Sequence, residues 1–220
     1  MSFLPGLDEL GSIPTVTPSQ LIELVDLAQG DTALLSTLFL SDDLLQRQAY
    51  LAGEIEELEL AVLTRLQGQG KERLPDYLVG SAEESVPETS VDAIWHSYYT
   101  YAAAIARERK SNFLEAWIEY EVGLRNALAF ARARALNLDP HEYVVASEVG
   151  RDLDDFSDIV SQWLAATDPF NGLRLLDQQR WLWITENEPW FSFTDDELVS
   201  YGAKLMLLRR WMRLGERERS

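Results

Sequence analysis

Residues 111–136, SNFLEAWIEYEVGLRNALAFARARAL, form the longest uninterrupted helical pattern in this chain, and they restrict the fold more than any other stretch. Phe113, Trp117, Tyr120, Leu124, Ala127, Leu128, Ala131 and Ala135 recur at spacings of three and four, which puts them on one face of a helix. Ser111 or Asn112 caps the start, because either side-chain oxygen accepts the first free backbone N–H groups. Gly123 costs about 1 kcal/mol against alanine inside a helix, and a residue that small admits a close neighbouring helix. An amphipathic helix of this length is stable only with other elements packed on its stripe, so it is expected to be the central helix of an all-α domain.

The rest of the chain supplies those partners. Phe3-Leu4-Pro5-Gly6-Leu7 and Ile13-Pro14 form a short extended lead packed on the body, since Pro and Gly forbid a helix there. Thr17-Pro18-Ser19-Gln20 has the form of a capping box with proline at the first helical position, and Gly30 ends that helix. Asp31 opens a second helix with Leu34, Leu35, Leu38 and Phe39 inward. Ser41-Asp42-Asp43 then caps or kinks into a third, and residues 54–60 continue at helical spacing with an acidic, solvated outer face. Gly68-Gln69-Gly70 breaks the chain, and residues 80–89, rich in Ser, Glu and Pro, read as a loop.

Residues 91–110 form a helix that pairs with 111–136 as an antiparallel hairpin across a tight turn at Ser111-Asn112. Leu138-Asp139-Pro140 is a turn, and 141–148 is ambiguous. Residues 154–166 are helical, and Asp168-Pro169 caps a helix that Pro189 stops. Thr194-Asp195-Asp196-Glu197 is a capping box opening the last helix. No segment alternates as a strand would. The expected fold is therefore all-α, antiparallel helical hairpins packed into a single bundle-like domain over 1–220, divisible into sub-lobes 1–79 and 90–220 at loop 80–89.

Composition narrows the function. The chain has no cysteine, which removes disulfides, thiol catalysis and cysteine-rich metal sites. Nineteen Lys and Arg against 37 Asp and Glu leave a net charge of −18, so nucleic acid and anionic lipid are repelled. The first residues lack the basic and apolar regions of a signal peptide, and nowhere do about 20 apolar residues run together. Cytoplasmic residence without direct membrane insertion is the expectation. Arg47 is the only basic side chain before Arg65, whereas the far end carries Lys204, Arg209, Arg210, Arg213, Arg217 and Arg219. That polarity suits a body placed between two partners, although an acidic soluble surface accounts for the excess as well.

Reactive constellations are scarce. Asp154-Asp155-Phe156-Ser157-Asp158 has the D-D-x-x-D spacing that holds magnesium on a diphosphate in prenyl-transfer enzymes, where one helical turn aims three carboxylates at hard cations. Acids at a helix start are favoured by the dipole in any case, and no second such motif or basic grip for a diphosphate accompanies them. His96 and His141 lack the spacing of a metal or di-iron site, and there is no phosphate-cradling glycine loop or nucleophile elbow. No catalytic, cofactor-binding or metal residue is therefore assigned.

Trp181, Trp183, Trp190, Phe191 and Phe193 are either core or a contact surface, with Trp190 and Phe191 set in a connection. Arg210 and Trp211 belong to the last helix and its basic end. In the central helix, Glu121 and Arg125 stand at i and i+4 in the favourable order. With Arg132 and Arg134 they suit interhelical ties or a partner's carboxylates, since buried charges need partners.

Four stretches then look familiar in order: FLPGL, LLSTLFLSDDLLQ, SNFLEAWIEYEVGLRNALAFARARALNLD and QQRWLWITENEPWFSFTDDELVSYGAKLMLLRRW. They resemble an uncharacterised bacterial family encoded among the subunits of V/A-type rotary ATPases. That family is similar in turn to the all-helical central-stalk subunit, called C in prokaryotic and d in eukaryotic enzymes. Those socket subunits are longer and carry three similar helical lobes. The resemblance implies a non-catalytic stalk-type subunit or accessory, docking between membrane rotor ring and central shaft in support of proton or sodium transport. Its partners would be other ATPase subunits, and it would be peripheral to the membrane through them. A prenyl-transfer or diphosphate enzyme using Asp154, Asp155 and Asp158, and a free-standing helical adaptor, are the alternatives from other classes.

Overall fold

The computed structural model describes residues 6–7, 9–80, 90–150, 152–189 and 194–217. Among them lie α1 (Pro18–Leu27), α2 (Ala33–Leu51), α3 (Arg65–Gly68), α4 (Asp76–Val79), α5 (Val91–Arg109), α6 (Asn112–Ala135), α7 (Ser157–Leu164), α8 (Pro169–Asn187) and α9 (Asp195–Arg217). Two 3-10 turns, Pro140–Tyr143 and Leu153–Phe156, complete the described elements, and no strand occurs among them. The fold is all-α. Its elements group into two compact units, Met1–Leu74 with Ile184–Ser220, and Pro75–Trp183.

In the first unit, α1 starts as its sequence requires. Thr17 accepts the N–H of Gln20, the Gln20 side chain accepts the N–H of Thr17, and Pro18 follows the cap. The left-handed residue after the helix is Gln29 at φ +58°, not Gly30. Gly30 is needed for room instead, because a Cβ there would stand 2.8 Å from the Val25 side chain.

The expected cap or kink at Ser41-Asp42-Asp43 is absent: α2 runs through it unbroken, with both aspartates buried. The expected helical continuation over residues 54–60 is also overturned. The chain turns at Gly53, φ +73°, and stays non-helical up to Thr64, which caps α3. α9 lies against α2, and Gly202 permits that approach, since a Cβ there would meet Leu35, Leu38 and Phe39 at 2.9–3.3 Å. The lead packs only in part: Leu7 and Pro14 are buried, Ile13 is exposed, and Phe3, Leu4 and Pro5 lie outside the described residues.

In the second unit, α5 and α6 form the expected antiparallel hairpin. Lys110 takes the left-handed conformation at the turn, and the Ser111 hydroxyl accepts the Leu114 N–H at 3.1 Å. Between Phe113 and Ala127, α6 is buried on nearly all sides, with Leu114, Ile118 and Val122 as enclosed as the predicted stripe. Further along, the stripe departs from expectation: Ala133 is buried whereas Ala135 is exposed. The close neighbour at Gly123 is not a helix but the backbone at Gly150, where a Cβ would approach the Gly123 nitrogen to 3.3 Å.

Candidate functional site

Among the described residues, each unit holds a cluster of charged side chains that ties its elements together. In the first unit it is built on the middle of α2. Asp43, 1% exposed, accepts three successive backbone N–H groups of the non-helical segment: Ala61 at 2.9 Å, Val62 at 2.7 Å and Leu63 at 2.8 Å. One turn on, Gln46 behaves as a strand residue would. Its amide donates to the Glu59 carbonyl at 2.9 Å and accepts the Glu59 N–H at 2.8 Å. These side chains supply Glu59 and Ala61 to Leu63 with backbone partners that a helix would otherwise have supplied, and so favour a non-helical path there.

Asp42 completes the cluster. It accepts from Arg213 with both oxygens, at 2.8 and 2.7 Å, and from Gln46 at 2.9 Å, with Arg210 at 3.7 Å. Arg209 reaches Glu59 at 2.7 Å. The basic end of the sequence thus faces carboxylates from its acidic beginning inside one unit. Burial pushes the Asp43 carboxyl up to about 6, against the pull of its three N–H donors.

In the second unit the cluster ties α6 to α8. Arg180 holds Glu121 in a fork, Nε to Oε1 at 2.7 Å and Nη2 to Oε2 at 3.2 Å, while Nη1 donates to Asp177 at 3.0 Å. Burial opposes the Arg180 charge, but Glu121 and Asp177 overcome it and hold the guanidinium above the usual arginine range. Beside it, Trp183 of α8 packs on Trp117 and Tyr120 of α6, with ring centroids 5.5 and 5.0 Å apart.

The other residues singled out from the sequence fall in separate places. Arg125 lies over the Trp95 ring at 4.8 Å and meets Asp92 of α5 at 3.3 Å, so Glu121 and Arg125 serve different helices. Arg132 and Arg134 sit over the rings of Trp163 and Phe130. Trp211 is half-buried on α9, next to Gly11. Trp190, Phe191 and Phe193 lie outside the described residues. Asp155 belongs to the 3-10 turn Leu153–Phe156 and Asp158 to α7, so the acidic motif does not occupy a single α-helical turn.

Sequence reading missed Asp43, Gln46, Asp177, Arg180 and Asn126. Asn126 repeats the Gln46 device on α6, exchanging two hydrogen bonds with the backbone of Val145 at 2.8 and 2.9 Å. A polar side chain amid apolar helix positions was the available signal, since burial there requires a partner. Chemically these clusters hold segments together. Three of the four lone-pair sites of Asp43 are taken up by N–H donors, and none of the described residues form a group of three His, Cys, Asp or Glu side chains suited to a metal ion. No described helix is long and apolar enough to cross a membrane. No curated protein and no solved structure matches the chain. One family model does, over residues 2–155, and the chain therefore belongs to the family described as a protein of unknown function, DUF2764.

Proposed function

We propose that this chain is a non-catalytic subunit or accessory protein of a V/A-type rotary ATPase, docking between the rotor ring and the central shaft. The observation that carries the reading is the cross-tying of long helices by enclosed ion pairs. Asp42 and Arg213 lock α2 to α9, and Glu121 and Arg180 lock α6 to α8. A part that transmits torque must resist shear between its helices. Charge pairs held in fixed geometry resist sliding better than leucine contacts, which repack over neighbouring registers.

The ordered resemblance of four sequence stretches to proteins encoded with such ATPases supports the same reading. The protein would then sit on the cytoplasmic side, held at the membrane only through the complex. Affinity purification through a tagged ATPase subunit tests it: this chain is expected to co-purify in fixed proportion. An intact, fully active, ion-pumping complex from cells lacking the gene would overturn the proposal.

A further inference from the structure

The feature that the charged clusters leave unexplained is α1. Of its five apolar residues only Leu21 is buried; Leu24 is 48% and Leu27 81% exposed. A helix of 10 residues with one buried and two half-buried apolar side chains, Leu21 with Ile22 and Val25, is too short to persist by propensity. It is held by its inner face on α2 and α9 together with its capping box and Pro18. The sequence therefore invests in keeping this segment helical while leaving two leucines in water.

The charges on α1 are placed with equal consistency. Gln20, Leu24 and Leu27 form one outward ridge at helical spacing, and Glu23 and Asp26, both exposed, run along its flank. Asp26 lies in the last turn and the first turn holds no acid, whereas Asp31, beyond the helix, accepts the Ala33 N–H at the start of α2 at 2.9 Å. Carboxylates at a helix C-terminus oppose the macrodipole, so they do not serve the stability of α1. Together with the terminal carbonyls, Glu23 and Asp26 make that end attractive to cations.

We propose that the outer face of α1 is a docking ridge for a basic amphipathic helix of a partner protein, whose leucine-type side chains cover Leu24 and Leu27 while its lysines or arginines meet Glu23 and Asp26. Charge selects this occupant. A second copy offering the same ridge would bring carboxylates against carboxylates, and nucleic acid or anionic lipid is repelled outright. The proposal does not depend on the rotary-ATPase reading.

The test uses the full chain and a synthetic amidated peptide of leucine and lysine at helical spacing, with its glutamate-for-lysine twin as control. Binding is read by fluorescence anisotropy at physiological salt, and the contact is mapped by hydrogen exchange. The basic peptide is expected to bind and to protect residues 18–31, and the acidic twin is not. Leu24→Gln with Leu27→Gln, and separately Glu23→Gln with Asp26→Asn, are each expected to weaken binding by about tenfold or more. Circular dichroism should show both variants as helical as the parent. Peptide binding that ignores the leucine pair, protection elsewhere on the chain, or no binding at all would overturn the proposal.

Discussion

Removing Arg180 should damage the second unit more than removing either carboxylate it holds. Glu121, Asp177 and Arg180 together carry one net negative charge, and the side chains of Arg180 and Glu121 are only 13% and 18% exposed. Arg180→Met keeps most of the aliphatic stem but leaves two enclosed carboxylates without their shared cation, a loss of about 3–5 kcal/mol. Glu121→Ala deletes two charge-assisted hydrogen bonds yet leaves Arg180 paired with Asp177, so about 2–3 kcal/mol is expected. Glu121→Gln preserves one acceptor for Nε and leaves a neutral Arg180–Asp177 pair, so about 1 kcal/mol suffices. For a chain of this size each kcal/mol lowers Tm by roughly 2–4 °C, which puts Arg180→Met some 6–20 °C below the parent. Scanning calorimetry reads the shifts, and tryptophan fluorescence assigns them locally because Trp117 and Trp183 adjoin the cluster. Arg180→Met melting with the wild type, or Glu121→Gln proving as harmful as Arg180→Met, would refute the reasoning. Either result would mean that packing, not charge, joins α6 to α8.

Three further outcomes follow from the first unit. Asp43→Ala strands three backbone N–H groups and should cost about 3 kcal/mol, with protease cutting within residues 53–64 accelerating before any other site. Asp43 also gives stability a pH dependence: its carboxyl titrates near 6 when folded against an ordinary 3.8. Between those values the native chain keeps a proton that the unfolded chain releases, so its stability falls as pH rises through that window, by about 3 kcal/mol in all. Asp43→Asn lacks that contribution, so paired urea titrations should show the variant gaining on the parent from pH 4 to 7, and a flat difference would sink the idea. Gly202→Val should lose about 2 kcal/mol in the same urea assay, because its side chain collides with Leu35, Leu38 and Phe39 of α2.

Sequence periodicity located the helices well because each depends on residues three and four apart, and α5, α6 and the capped start of α1 are decided at that range. It failed over residues 54–60 for a reason that no local window contains. Gln46 takes the backbone of Glu59 within that stretch, and Asp43 takes the N–H groups of Ala61 to Leu63 just after it, from 13–20 residues upstream in the chain. Glu121 illustrates the same limit: an acceptable partner stood four residues away, and the structure uses one 59 residues away.

Yet the misread residues were conspicuous in another way. Two adjacent aspartates inside the run Leu34 to Leu51 either end a helix or are buried in it, and burial obliges the fold to bring donors to them. Reading Asp42-Asp43 as a cap removed that obligation from view. Kept as helix interior, the pair demands cations and free N–H groups from elsewhere in the chain. The arginine-rich α9 and a segment unable to satisfy its own backbone are the elements that meet the demand. Part of the charge polarity along the sequence is then used inside the first unit, where Asp42 and Glu59 of the acidic start meet Arg213 and Arg209 of the basic end. On α1, by contrast, the exposed Glu23 and Asp26 stand beside the exposed Leu24 and Leu27, and that places a negative surface open to a partner next to apolar side chains on the same helix.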